Sequence, residues 1–239
     1  MIRNKKLSIQ EYWTTDKYLR SSIFGEIMTR DRYFLLLKMI HFTHELEYTN
    51  DRLSKIKDVI NMLRKSFSDT FHPYQGLCID ENLMMYKGRL SFKQYIPSKR
   101  NRFGIKSYML CDCKTGYVQY LIVYGGSSTI IESAITGIGK SGVIVLSLLK
   151  PYLGKDHTVY LDNFYSSHAL FSFLYNNCTN AWGTVRKRRQ GMPKFEEHLK
   201  KGEACFRTSN NLLAIKWMDK KEVYMISYMY AYCRFCNSI

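Results

Sequence analysis

Residues 157–167 read His-Thr-Val-Tyr-Leu-Asp-Asn-Phe-Tyr-Ser-Ser, and the fold prediction starts from this stretch. Thr158–Leu161 combine β-branched, aromatic and aliphatic side chains, a pattern that predicts a short buried strand. The strand ends in Asp162, and an ionised carboxylate in that position costs desolvation free energy unless something compensates it. A bound metal ion would compensate it, and so would a hydrogen-bonded cap on the helix that follows. The residues leave both alternatives open.

A second short apolar run also ends in an acid, because residues 76–81 read Gly-Leu-Cys-Ile-Asp-Glu. Asp80 therefore occupies the same kind of position as Asp162, at the end of a predicted strand. Two aspartates carried on strands can hold divalent cations for phosphoryl chemistry. Glu81, the neighbour of Asp80, is expected to be a solvated side chain rather than a ligand.

The residues around these two strands predict an α/β protein with a helical beginning. Apolar residues at helical spacing predict a helix over 54–67, and residues 106–111 and 117–124 predict a hairpin. Further predicted elements are helices over 142–149 and 167–175 and strands over 181–185, 212–217 and 222–227. Strands interspersed with helices indicate a mixed sheet with flanking helices. We predict three regions: a mainly helical region 1–71, a sheet-forming core 72–190, and a following region 191–239.

The charge of the chain points to an anionic partner. The 239 residues include 36 Lys and Arg against 20 Asp and Glu, a formal net charge of +16. A chain this basic is expected to bind nucleic acid, ahead of an anionic membrane surface or a merely solubilising charge. No apolar run approaches the roughly 18 residues of a membrane span. The seven irregularly spaced cysteines argue against a disulfide framework, so a reducing compartment, cytosolic or nuclear, is expected.

Two segments concentrate the cations. The first supplies seven predicted DNA-binding residues, which are Lys87, Arg89, Lys93, Lys99, Arg100, Arg102 and Lys106. Phe92, Tyr95 and Phe103 lie between them, and such interleaving suits a phosphate backbone with some base stacking. The second segment, Arg186-Lys187-Arg188-Arg189, is predicted to contact phosphate or to act as a nuclear import signal. The alternatives are a solvated loop for the first segment and an ordinary charged surface for the second.

Several blocks of sequence are more specific than these patterns. The blocks are Asp80-Glu81, Lys87-Gly88-Arg89, Gln-Tyr-Ile-Pro-Ser-Lys at 94–99, Gly104-Ile105-Lys106, Leu-Asp-Asn-Phe-Tyr-Ser-Ser at 161–167 and Trp-Gly-Thr-Val-Arg-Lys at 182–187. In order and spacing they resemble the catalytic blocks of the piggyBac family of transposases. Upstream residues 27–33 and 51–56 also fit, so the resemblance extends over residues 10–227.

The resemblance implies an RNase H-like DDE transposase core that cuts and rejoins DNA at TTAA sites. It implies two divalent metal ions, Mg²⁺ or Mn²⁺, held by three aspartates, of which Asp80 and Asp162 are the first two. These two residues are therefore the expected catalytic and metal-binding residues. The implied partners are DNA and either a full-length transposase or a second copy of the chain, with no membrane. The implied location is the nucleus.

The sequence also departs from the family pattern. The family's third aspartate lies in a Gly-Val-Asp block beyond an inserted domain, and residues 191–239 are expected to be the truncated start of that domain. We therefore expect impaired catalysis, with a non-enzymatic DNA-binding or regulatory protein derived from the transposase as the alternative. Asp219 and Glu222 are later acids that are not expected to replace the third ligand. Cys233 and Cys236 form a lone Cys-x-x-Cys pair, a weak zinc signal.

Overall fold

The computed structural model describes residues 7–42, 51–97, 99, 102–126, 129, 137–209 and 211–228. The chain forms two compact units, residues 1–48 and 49–239. Arg100, Cys233 and Cys236 lie outside the described residues. No helix within the described ranges is both long and apolar enough to cross a membrane.

The first unit is helical, as predicted for the beginning of the chain. A 3-10 helix at Ile9–Trp13 precedes two α-helices, α1 (Ser22–Ile27) and α2 (Arg30–Met39). Thr29 caps α2, since its hydroxyl accepts a hydrogen bond from the Arg32 amide at 3.4 Å. The rings of Tyr12 and Phe24 pack edge to face, 4.8 Å apart. This unit therefore has a small aromatic core of its own.

Over the described residues, the second unit consists of one sheet and three α-helices, besides short 3-10 helices at Ser54–Ile56 and Lys150–Tyr152. The helices are α3 (Lys57–Thr70), α4 (Gly139–Leu149) and α5 (His168–Asn176). The strands are β1 (Gly76–Met85), β2 (Gln94–Tyr95), β3 (Phe103–Asp112), β4 (Val118–Val123), β5 (Thr158–Leu161), β6 (Asn180–Thr184), β7 (Ala204–Ser209), β8 (Leu212–Met218) and β9 (Glu222–Tyr228). The predicted helices and strands are thus confirmed. Sequence analysis missed β2 and β7.

The sheet is mixed, as predicted. Its strand order over the described residues is β2-β3-β1-β5-β6-β9-β8-β7, and β4 also pairs with β3. The central strands β1, β5 and β6 run parallel, whereas β3 pairs antiparallel with β1, and β9 antiparallel with β6. Strands β7, β8 and β9 extend this same sheet beyond residue 191. The boundaries predicted at 71/72 and 190/191 stay predictions.

The core lies against the central strands. Leu77 and Ile79 of β1 and Val159 and Leu161 of β5 are at most 5% exposed. The apolar residues of α4, which packs on β3 and β4, belong to the same core, and α5, which packs on β6 and β9, adds Phe171, which is fully buried. Burial of these alternating strand residues fixes which side chains of β1 and β5 remain on the opposite face.

Asp112 ends β3 and fixes the hairpin that β3 forms with β4. Its carboxylate is fully buried and accepts hydrogen bonds from the amides of Tyr74 (2.9 Å), Lys114 (3.1 Å) and Thr115 (2.7 Å). The Thr115 hydroxyl donates a fourth bond at 2.7 Å. Burial alone would raise the pKa of Asp112, but these donors, Thr115 foremost, outweigh it and lower the pKa. These contacts give Asp112 a structural role in the hairpin.

We expect Asp112→Ala to lower the free energy of unfolding by about 3 kcal/mol at pH 7, since four donors lose a charged acceptor. The lowered folded-state pKa makes this stabilisation complete above the unfolded-state value of about 3.9, and the stabilisation is lost as the pH falls through the folded-state pKa. Urea unfolding at pH 7 and pH 3 measures both effects. Asp69→Ala, an exposed acid near the end of α3, is the control and should change little. An equal loss in both variants would contradict the assignment.

Candidate active site

The parallel pairing of β1 with β5 brings the two predicted aspartates together. Ile79 pairs with Leu161, and the next residue on each chain is Asp80 and Asp162 respectively. Both aspartates are exposed, on the opposite side from the buried Ile79 and Leu161. The sheet register therefore places the two predicted aspartates at corresponding positions, one residue beyond the last paired residues of β1 and β5.

The loop that follows β5, residues 162–167, is called the Asp162 loop. Its turn is held by the backbone carbonyl of Asp162 rather than by the Asp162 carboxylate. The amides of Tyr165 and Ser166 donate to this carbonyl, both at 3.1 Å, and the Ser166 hydroxyl donates to it at 3.0 Å. The N-cap of α5 is Ser167, whose hydroxyl accepts from the Leu170 amide at 3.3 Å. Of the two alternatives for Asp162, the helix cap is thus excluded. Its carboxylate remains available for another role.

Strand β6 also contacts the Asp162 loop. Gly183 pairs with Leu161, which places Thr184 beside Asp162. The Thr184 hydroxyl donates to Oδ1 of Asp162 at 3.2 Å. A Cβ atom on Gly183 would lie 2.3 Å from the Ser166 hydroxyl and 2.6 Å from the Leu161 carbonyl oxygen. Glycine at this position therefore allows the loop to pack directly on β6.

An aromatic cluster surrounds the acid next to Asp80. Lys106 forms a 3.5 Å ion pair with Glu81, and its ammonium lies 4.8 Å from the ring centroid of Tyr108 and 5.6 Å from that of Phe164. Tyr165 is fully buried, and burial followed by the charge of Glu81 raises its pKa. The same causes raise the pKa of Tyr108 to about 12. Glu81 is thus paired with Lys106, and both tyrosines stay neutral.

The described part of the first basic segment forms a lobe between the end of β1 and the start of β3. Lys87, Arg89, Lys99 and Arg102 are exposed and have no hydrogen-bond or ion-pair partner for their side chains among the described residues. Lys93 differs, because its ammonium donates to the Gly88 carbonyl at 3.0 Å.

The three aromatic residues of this segment have different environments. Phe92 is 6% exposed and belongs to the packing of the lobe. Tyr95 and Phe103 are each 53% exposed, with ring centroids 4.7 Å apart. Only these two rings therefore remain accessible for the base stacking that the sequence predicted.

The second basic segment lies beside the Asp162 loop and is divided by its contacts. Arg186 and Arg188 are exposed, and their side chains have no partner in the part of the chain that the structure describes. Lys187 forms a 2.9 Å ion pair with Glu222. Arg189 donates three hydrogen bonds to carbonyl oxygens of the Asp162 loop.

A cavity of about 520 Å³ adjoins this segment, and sequence analysis did not find it. It is lined by residues 187–196 and Tyr224. Lys194 is exposed at its wall and, like Arg188, has no partner among the described side chains. The rings of Phe195 and Tyr224 lie 5.9 Å apart. The cavity therefore combines cations with aromatic surface.

The later acids are placed differently from Asp80 and Asp162. Glu222 pairs with Lys187 at 2.9 Å and with Lys216 at 3.0 Å, and it accepts from the Tyr224 hydroxyl at 2.8 Å. The bonds from Lys187, Lys216 and Tyr224 together lower the pKa of Glu222 to about 2. Asp219 lies in the turn between β8 and β9. Over the described ranges, no group of three or more His, Cys, Asp or Glu is placed to hold a metal ion.

Comparison with known proteins identifies the class of protein to which this chain belongs. A family model described as "Transposase IS4" matches residues 1–238, so the chain is a transposase-family protein. A solved structure, the cryo-EM piggyBac transposase synaptic complex with hairpin DNA, superposes with a TM-score of 0.79 and 26% identity. The superposition covers 90% of this chain and 46% of that one.

Two human proteins are also similar to this chain in sequence. PiggyBac transposable element-derived protein 3 is 28% identical over 179 residues, covering 74% of this chain and 30% of that protein. PiggyBac transposable element-derived protein 2 is 22% identical over 228 residues, covering 90% of this chain and 38% of that protein. The chain thus spans well under half the length of these relatives. It belongs to the piggyBac transposase family.

Family membership confirms the fold prediction. The mixed sheet with flanking helices is the RNase H-like DDE core, whose order of strands places Asp80 next to Asp162. Transposases of this class generally use divalent metal ions. Thr184, Gly183 and Arg189, which support the Asp162 loop, were not identified from the sequence as supporting residues. Trp-Gly-Thr-Val-Arg-Lys marked the strand, but only its register with β5 shows which residues touch the loop.

We expect Gly183→Ala to lower the free energy of unfolding by about 1–3 kcal/mol, because the new methyl group must displace the Ser166 hydroxyl and the Leu161 carbonyl. Gly25→Ala is the matched control. Nothing lies within 4 Å of a Cβ at Gly25, and alanine is the better helix former, so α1 should be unaffected or slightly stabilised. Thermal unfolding measures both variants. An unchanged melting temperature for Gly183→Ala would show that the loop does not pack this closely on β6.

Proposed function

We propose that this chain carries part of a transposase active site that cuts and rejoins DNA, with TTAA as the implied target. The observation that supports this most directly is the adjacency of Asp80 and Asp162 on paired parallel strands. Their exposure, and the separate Ser167 cap on α5, leave both carboxylates open to a ligand. Asp80 and Asp162 are the proposed catalytic and metal-binding residues.

The donor atoms of this pair fit a hard divalent cation. Carboxylate oxygens suit Mg²⁺ and Mn²⁺, the ions we propose. Oδ1 of Asp80 accepts from the Glu81 amide at 2.7 Å, and Oδ1 of Asp162 accepts from Thr184, so each carboxylate is oriented by one bond. Such ions, when bound, activate an attacking oxygen and stabilise a leaving one in phosphoryl chemistry.

Two carboxylates form an incomplete clamp for that chemistry. We propose that efficient strand cutting uses a third carboxylate from outside the described residues, whereas Asp80 and Asp162 alone support slow metal-dependent nicking. The ion pairs of Glu222 make it a poor substitute, because its carboxylate is already neutralised by Lys187 and Lys216. This supports the expectation that residues 7–228 by themselves cut DNA weakly.

The proposed DNA-binding surface consists of those exposed cations of the two basic segments that have no side-chain partner among the described residues. Lys87, Arg89, Lys99 and Arg102 form its first part, and Arg186 and Arg188 its second. Unpaired cations can replace the counterions of DNA phosphates, which is the main source of non-specific affinity. DNA is accordingly the proposed partner, and the nucleus the proposed location.

A non-enzymatic DNA-binding role is the second candidate. The observation in its favour is that the cationic surface is built without Asp80 or Asp162, so binding to DNA does not require the metal site. The relatives named transposable element-derived proteins are consistent with either role. The two candidates differ in whether metal-dependent cutting accompanies binding.

We expect the wild-type chain to nick a supercoiled plasmid containing TTAA sites in Mn²⁺ at a rate at least about tenfold above that of the Asp80→Asn, Asp162→Asn double variant, because the variant loses both charged oxygen ligands. Gel electrophoresis of the plasmid measures the rate. Asp219→Asn removes an acid from the β8–β9 turn and should behave as wild type. Equal nicking by wild type and double variant would leave the DNA-binding role as the surviving candidate.

We expect Lys99→Gln with Arg102→Gln to reduce the slope of log affinity against log salt by about 1.8, that is, about 0.9 for each lost phosphate contact. Lys114→Gln is the control, because Lys114 follows the opposite end of β3, roughly 30 Å away along the strand. Fluorescence anisotropy with a labelled duplex at several salt concentrations measures the slope. An equal reduction in the control would show that general charge, rather than this surface, determines binding.

A further inference from the structure

Arg189 is bound to the loop that contains the proposed metal ligand. Its Nε donates to the Ser166 carbonyl at 2.9 Å, and its Nη2 donates to the carbonyls of Asn163 at 3.0 Å and Phe164 at 2.9 Å. Of the four residues that follow Asp162, all except Tyr165 therefore accept a hydrogen bond from the same guanidinium. Arg189 is half-buried, and this burial, followed by the charge of Arg186, lowers its pKa.

These bonds satisfy carbonyls that the loop cannot satisfy itself. The loop between β5 and α5 is neither strand nor helix, and the carbonyls of Asn163, Phe164 and Ser166 accept no backbone hydrogen bond among the described residues. A guanidinium supplies several N–H groups in a rigid plane, and charge-assisted bonds of this kind are stronger than neutral ones. A lysine ammonium is a point charge on a flexible stem and cannot reproduce the same fork.

The loop is held on two sides. Gly183 and Thr184 of β6 contact it at Ser166 and Asp162, while Arg189 binds the outer carbonyls. Since Asp162 is the first residue of the loop, the direction of its carboxylate depends on the path of the next four residues. Loss of the guanidinium would leave the β6 contacts and the packing of Phe164 and Tyr165, but would remove the donor shared by three loop carbonyls.

We propose that Arg189 is a positioning residue that fixes the Asp162 loop, and not one of the phosphate-binding residues predicted from its basic neighbours. The basic run then divides by role, with Arg189 directed to the loop, Lys187 paired with Glu222, and Arg186 and Arg188 available to DNA. The consequence for metal binding rests on the proposed role of Asp162 as a ligand. The consequence for the loop and for DNA binding does not.

The test compares Arg189→Lys and Arg189→Gln with Arg188→Gln. Arg189→Lys keeps the positive charge but removes the fork, so it separates the two roles. Mn²⁺ affinity without DNA is measured by electron paramagnetic resonance of the free ion, loop protection by hydrogen exchange at residues 163–166, and DNA contact by the salt slope. The Asp80→Asn, Asp162→Asn double variant defines the background for Mn²⁺ binding.

We expect both Arg189 variants to weaken Mn²⁺ binding by roughly tenfold, the lower end for residues that orient a ligand, and to accelerate exchange in the loop. Their salt slopes should equal that of wild type. Arg188→Gln should keep the Mn²⁺ affinity and loop protection of wild type and reduce the slope by about 0.9.

Three results would overturn the proposal. The first is wild-type loop protection in both Arg189 variants. The second is a slope reduced in Arg189→Gln and restored in Arg189→Lys, which is the behaviour of a phosphate contact. The third is loss of cooperative unfolding in both variants, which would assign Arg189 to the whole fold. If wild type and the double aspartate variant bind Mn²⁺ equally, the proposed metal site fails, while exchange and slope still decide the role of Arg189.

Discussion

The parallel register between β1 and β5 is the constraint on which the candidate site depends. Ile79 pairs with Leu161 because both are buried against the helices, and this pairing places Asp80 and Asp162 together on the opposite side. Side chains alternate along a strand, so a slip of one residue would turn an aspartate into the apolar core. The hydrophobic core therefore fixes the position of two charged groups that are far apart in the sequence.

The Asp162 loop shows how one residue can serve the fold and the site with different atoms. The Asp162 carbonyl oxygen collects the bonds that turn the chain towards α5, while Ser167 caps that helix. The carboxylate is thereby left to the solvent and to Thr184. Close packing on Gly183 and the guanidinium of Arg189 then restrict the loop, which is the kind of support that a precisely placed ligand requires.

The basic residues illustrate a limit of sequence analysis. Composition predicts a polyanionic partner, but it treats every cation in a run alike. The fold separates them: Lys106 and Lys187 are paired with acids, and Arg189 is bound to carbonyls, whereas Arg102 and Arg188 remain without partners among the described residues. Which cation meets an acid or a carbonyl depends on strands that are distant in sequence, so spacing along the chain cannot show it.

The sequence by itself determined the class of fold, the main strands and helices, and Asp80 and Asp162 as candidate residues, because apolar periodicity and the family blocks are local features. It missed β2 and β7, since a two-residue strand and a mostly exposed edge strand carry no apolar alternation. Only the tertiary structure decided that Ser167 rather than Asp162 caps α5, and that Gly183, Thr184 and Arg189 support the loop. These are contacts between elements, and they exist only once the register of the sheet is set.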